Sequence, residues 1–125
     1  MDTYDANQEP DPNAWLELDE GARIGLVVQY HRGHRPRTPR VRLHATFHVV
    51  VENQIAAQEP VVVDTLNRLR SEGLSRHDVV HAIGSVLSGQ VYDILKRGNA
   101  DAGPDPNETY ATELRKLTAK SWQAG

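Results

Sequence analysis

Arg40-Val41-Arg42-Leu43-His44-Ala45-Thr46-Phe47-His48-Val49-Val50-Val51-Glu52-Asn53-Gln54-Ile55-Ala56-Ala57 is the stretch whose secondary structure decides the fold class. Its first half alternates: Val41, Leu43, Ala45, Phe47 and Val49 fall on one side of an extended chain, the period-two pattern of a strand over 40–49. Val50 and Val51 break that alternation, and Glu52 to Ala57 follow with no turn signal. Leu43, Phe47, Val50 and Gln54 instead form a stripe at helical spacing, and Pro39 suits the first position of a helix. One helix over 39–57 accounts for the whole segment, whereas a strand leaves the second half unexplained. Under either reading His44 and His48 share a face, because residues four apart do so in a helix and in a strand alike.

Outward from this segment the punctuation is helical. Upstream, Asp11-Pro12 is a helix start, with Asp accepting from an orphan amide and Pro at the first helical position. Trp15, Leu18, Ala22 and Leu26 then recur at helical spacing, which predicts a helix over 12–31 ending near Gly33. His34 to Pro39 reads as a loop broken by Pro36 and Pro39. Downstream, Glu59-Pro60 opens a helix over 60–72 with Val62, Leu66 and Leu69 facing inward, and Gly73 supplies a left-handed stop with Leu74 making the contact after it. Ser75 and Asp78 have the spacing of a capping box for a helix over 76–97. Gly98 to Pro104 is a linker, and Asp105-Pro106 opens a last helix over 106–120. Pro-Asp-Pro-Asn occurs at 10–13 and again at 104–107, which two independent caps explain without an internal duplication. The expected fold is all-α: a compact bundle of about five helices in a single domain over 11–125, preceded by a flexible acidic tail over 1–10.

The 125 residues carry 14 Lys+Arg, 17 Asp+Glu, 6 His and no Cys, for a net charge of −3. Without cysteine there is no disulfide framework, thiol nucleophile, Cys-type zinc finger or iron–sulfur cluster, so a soft transition metal would have to be held by imidazole and carboxylate. The longest apolar runs are three valines, too short to span a bilayer, and the opening Met1-Asp2-Thr3-Tyr4-Asp5 lacks the basic start of a secretory signal. A cytoplasmic protein with no membrane partner is expected. Residues 1–20 hold seven acids and no Lys or Arg, and residues 21–48 hold six Arg and no acid, so neighbouring segments neutralise one another.

The six histidines fall in three close pairs, His31/His34, His44/His48 and His77/His81. In the last two the spacing is His-x-x-x-His, which places both rings on one helical face a turn apart. Two such pairs on different helices can converge on one ion, and Glu52, one turn beyond His48, adds an oxygen donor or an orienting partner. The candidate metal ligands are therefore His44, His48, Glu52, His77 and His81, and the donor set suits Zn, Ni or Fe ions. Gly84 and Ser88, on the face of His81, are small enough for another helix to approach. Neither pair has the Glu of the zinc-protease pattern directly after its first His, and no Glu-x-x-His or Gly-x-Ser-x-Gly pattern occurs. His77-Asp78, with His44 or His48 upstream and Asp93 or Asp101 downstream, resembles the paired ligands of HD-type metal phosphohydrolases, although the chain is short for such an enzyme.

The blocks His44-Ala-Thr-Phe-His-Val-Val-Val-Glu-Asn-Gln54, Thr65-Leu-Asn-Arg-Leu69 and Gly73-Leu-Ser-Arg-His-Asp-Val-Val-His-Ala-Ile-Gly-Ser-Val-Leu87 resemble a bacterial family of small proteins with no assigned function. The resemblance covers about a third of the chain and implies a helical, cytoplasmic protein; it implies no activity. Two other function classes compete with metal binding. Residues 60–72, the Gly73-Leu74 turn and the helix from Ser75 resemble a helix-turn-helix, with Arg76 expected to face nucleic acid, against which stand the acidic charge, Asp78 and the length of the second helix. The third class is a structural or partner-binding domain, homo-oligomeric or otherwise, whose histidines settle helix packing.

Overall fold

A computed structural model describes residues 1–33, 40–97 and 105–124. Among them seven helices occur and no strand: α1 (Pro12–Glu17), α2 (Glu20–Arg32), α3 (Val41–Ala56), α4 (Pro60–Ser71), α5 (Arg76–Arg97), α6 (Pro106–Lys116) and α7 (Ala119–Ala124). The ambiguous segment is thus one helix, because Val51 and Ile55 are needed in the core together with Ala45 and Val49. The loop expected at 34–39 and the linker at 98–104, with His34 and Asp101, lie outside the described residues.

The count of seven corrects the expected five, since two long helices are each broken by a cap. Leu18 turns extended, and the Asp19 carboxylate accepts from the Ala22 amide at 2.7 Å, starting α2 afresh. Leu117 is likewise extended, and the Thr118 hydroxyl accepts from the Ser121 amide at 2.9 Å to start α7. Each break leaves carbonyls that an arginine from elsewhere satisfies. Arg23 donates to Trp15 O and Leu16 O at the end of α1, and Arg68 to Leu114 O and Leu117 O at the end of α6. The caps at Asp11 and Asp105 form as the repeated tetrapeptide suggests, accepting from Ala14 and Asn107 amides. The turn between α4 and α5 is a Schellman motif: Leu74 N–H bonds Leu69 O, Gly73 N–H bonds Arg70 O, and Gly73 has φ +105°.

α3 packs between α2 on one side and α5 on the other, α4 packs against both α3 and α5, and α6 packs against α4 and α5. Its apolar residues serve two separate cores. Ala45 and Val49 join Trp15, Val27, Val28 and Tyr30, while Val51 and Ile55 join Leu66, Leu69, Ile83 and Leu114. Between those two apolar sets α3 turns His48 and Glu52 inward, 2% and 1% exposed. The first ten residues are not an unpacked tail. Tyr4 (5%) and Ala6 (0%) are buried in the first core, where Tyr4 meets Trp15 at 5.8 Å and Tyr30 edge-on at 5.5 Å between ring centroids. One aromatic and one methyl group suffice to dock this segment, although the stretch as a whole is polar.

Candidate metal centre

The histidines are brought together by helix spacing. α3 projects His44 and His48 from one face, α5 projects His77 and His81, and α2 ends with His31 one turn beyond the buried Val27. Because α3 lies between α2 and α5, five rings from three helices meet. Ring centroids are 4.6 Å apart for His31–His44, 4.8 Å for His31–His48, and 4.7 Å for both His44–His81 and His48–His81.

Four of these rings, His31, His44, His48 and His81, each offer a nitrogen such that all four atoms lie within 4.8 Å of one another. The Nε2 atoms of His44 and His81 are 3.0 Å apart. A tetrahedral ion with bonds of roughly 2.0–2.1 Å needs nitrogens about 3.3 Å apart, so small side-chain movements convert the cluster into a coordination sphere. The set differs from the sequence expectation in three places. His31 joins it. His77 stands beside it, its ring 4.3 Å from that of His81. Glu52 is one turn beyond His48 as expected, but its carboxylate is engaged elsewhere.

Glu52 forms a two-point ion pair with Arg76, Nη1–Oε2 and Nη2–Oε1 both 2.8 Å, with the side chains 1% and 4% exposed. Tyr4 donates its hydroxyl proton to Oε2 of the same carboxylate. The Tyr4 oxygen is then the acceptor for His48 Nδ1, 3.4 Å away, at the long end of hydrogen bonding. A chain Arg76–Glu52–Tyr4–His48 results, in which Glu52 orients His48 through Tyr4. This directionality keeps the proton of His48 on Nδ1 and leaves Nε2 as a lone pair, and that buried nitrogen has no hydrogen-bond partner among the described residues. The same logic sets His31, whose Nδ1 donates to Val27 O at 2.8 Å and so presents Nε2 as an acceptor. His31 and His48 each carry a hydrogen bond on Nδ1 that leaves Nε2 as the lone-pair nitrogen of the ring.

Electrostatics agree with a neutral cluster. Burial, followed by the other imidazoles, lowers the pKa of His48 and His44, and brings His81 down to about 3. Tyr4 is pushed far up, by burial first and then by the Glu52 carboxylate, so it stays a phenol and a donor. Burial opposes the charge on Arg76, but its bonds to Glu52 override this and raise its pKa.

Glu52-Asn53-Gln54 is a run of three polar residues, each with a separate task. Asn53 Oδ1 accepts from Trp15 Nε1 at 2.8 Å and from Arg23 at 3.1 Å, and Gln54 accepts from Tyr110 at 2.7 Å. Thus α3 is tied to α5 and the N-terminal segment, to α1 and α2, and to α6 by consecutive side chains. Arg76, expected to face nucleic acid in a helix-turn-helix, is instead buried against Glu52 and Ala6 O. Asp78 is exposed on the first turn of α5, outside the group of converging nitrogens.

His44, His48 and His81 line an open groove of about 710 Å³ between α3, α5 and α7; His31 does not. A second groove of about 530 Å³, between α5 and α6, carries none of the histidines. No helix among the described residues is long and apolar enough to cross a membrane. An all-α protein with a half-buried cluster of imidazoles is the class that fold and site define. Compared with known proteins, the chain matches no family model, no curated protein and no solved structure.

Proposed function

We propose that this protein binds a divalent transition-metal ion, of the Zn, Ni or Fe type, through His31, His44, His48 and His81. The observation that carries the reading is the convergence of four imidazole nitrogens from three helices within 4.8 Å. Burial and mutual repulsion keep imidazoles crowded this closely unprotonated, and neutral imidazoles offer a cation in their midst the lone pairs that coordinate it. His77 and Glu52 act on the sphere from outside, Glu52 through Tyr4 and His48.

Protein prepared without a His tag is expected to carry metal near one equivalent by elemental analysis, and stripped protein to gain melting temperature on adding Zn²⁺, Ni²⁺ or Fe²⁺. Absence of metal together with an unmoved melting temperature defeats the reading. A second reading has one observation in its favour, the 3.0 Å approach of His44 to His81, which a hydrogen bond between neutral rings also explains. A purely structural cluster predicts that His44→Ala and His81→Ala destabilise the fold in metal-free buffer. Metal binding predicts that most of the loss appears only when metal is present.

A further inference from the structure

The cluster is enclosed unevenly. His31 approaches from α2 and is 6% exposed, while the rings of His44, His48 and His81 line the groove. An ion among the four nitrogens is therefore reachable from the groove without displacing His31. The groove floor is formed by α5 at Gly84, three residues after His81. Gly84 is buried, yet a Cβ added there meets no atom within 4 Å, and the same holds for Gly89 further along. Neither glycine lets another helix come close, contrary to the usual reason for small residues on such a face; each leaves space above the helix.

The groove walls are aromatic. Phe47 of α3 and Trp122 of α7 are half-buried on the walls, and Tyr92, 65% exposed, stands at the rim. The polar contributions are the hydroxyls of Ser85 and Ser88 and the carboxylate of Asp93. An apolar cleft lined by a few hydroxyls and three imidazole rings is built like a small-molecule site. His48 Nε2, buried and with no hydrogen-bond partner among the described residues, belongs to one of the rings that line it.

We propose that this groove admits a small, uncharged aromatic molecule whose nitrogen or oxygen donor coordinates the ion from its open side. The proposal rests on the metal reading above and adds a fifth, exchangeable coordination position to it, the four-nitrogen sphere opening from tetrahedral on the groove side as the donor binds. The aromatic body lies between Phe47 and Trp122 over Gly84, and the donor occupies the position that the four imidazoles leave uncovered.

The test uses full-length protein loaded with Co²⁺, whose visible absorption reports its ligands, titrated with imidazole and with 4-phenylimidazole. Both are expected to change the spectrum, with the phenyl compound binding at least tenfold more tightly. Gly84→Leu fills the floor and is expected to remove that advantage while leaving Co²⁺ affinity within about twofold. Phe47→Ala, which removes a wall instead of filling the floor, is expected to reduce the advantage independently. A spectrum indifferent to both compounds means a closed four-nitrogen sphere and overturns the proposal, as do equal affinities for the two or an advantage that survives both variants. Failure of Co²⁺ to bind at all is a separate result, and it removes the metal reading itself.

Discussion

Tyr4 is the residue on which the site's orientation turns. Its single proton goes to Glu52, which leaves its oxygen as the acceptor that fixes the His48 tautomer. Tyr4→Phe keeps the ring packing on Trp15 and Tyr30 and leaves Glu52 paired with Arg76, so it removes only the link between the carboxylate and the imidazole. Metal affinity is expected to fall about 10–100-fold, the usual cost of removing a partner that orients a ligand. Metal-free stability should fall by about 1.5–3 kcal/mol for the lost bond to a charged group. A competition titration against a chromophoric chelator checks the first, and unchanged affinity would show that Tyr4 does not orient His48. At this scale the sequence displayed three of the four converging histidines. His44, His48 and His81 were legible because helical spacing alone makes such pairs co-facial. His31 was not, since its convergence with α3 is a tertiary fact that no local spacing carries. Its only local signal was a position four residues after Val27, one turn along the buried face of α2. Tyr4 was hidden by averaging, a lone aromatic among polar neighbours.

At the scale of elements, caps decide where helices end, and they were more legible when glycine or proline marked them. Pro60, Gly73 and Pro106 located both ends of α4 and the starts of α5 and α6 to within a residue or two. The breaks after α1 and α6 escaped notice because the apolar stripe Trp15, Leu18, Ala22, Leu26 runs on through the cap at Asp19. Periodicity reports which face is buried and is blind to a one-residue excursion of the backbone. Gly73 and Gly25 make a test of this distinction. Gly73 holds φ +105° in the α4–α5 turn, a conformation that a Cβ strains, so Gly73→Ala is expected to cost about 1 kcal/mol or more. Gly25 lies inside α2, exposed, with nothing within 4 Å of an added Cβ. Gly25→Ala should therefore stabilise by about 0.8–1 kcal/mol through helix propensity alone. Urea midpoints at unchanged m value measure both, and shifts of the same sign would refute the distinction.

For the whole molecule, the polar residues do not interrupt one core but separate two. α3 gives Ala45 and Val49 to one apolar cluster and Val51 and Ile55 to the other, with His48, Glu52 and the facing Arg76 buried between them. Global stability is consequently linked to the charge state of the imidazoles. In the metal-free protein burial and mutual proximity lower the pKa of His44 and His48 and bring His81 down to about 3, whereas in the unfolded chain each histidine titrates near roughly 6.5. Above that unfolded value both states are neutral and these groups make no pH-dependent contribution. As pH falls below it the unfolded chain takes up protons that the fold refuses, so stability declines by no more than about 1.4 kcal/mol per pH unit for each histidine. Urea midpoints of stripped protein at constant ionic strength are thus expected to be level from pH 8 to 7 and to drop steadily from 6.5 toward 4.5. A midpoint that stays level to pH 4.5 would mean that the cluster accepts protons as readily folded as unfolded. Saturating metal raises the whole curve near neutrality, and that increment fades over the same interval, because ion and proton compete for the same lone pairs.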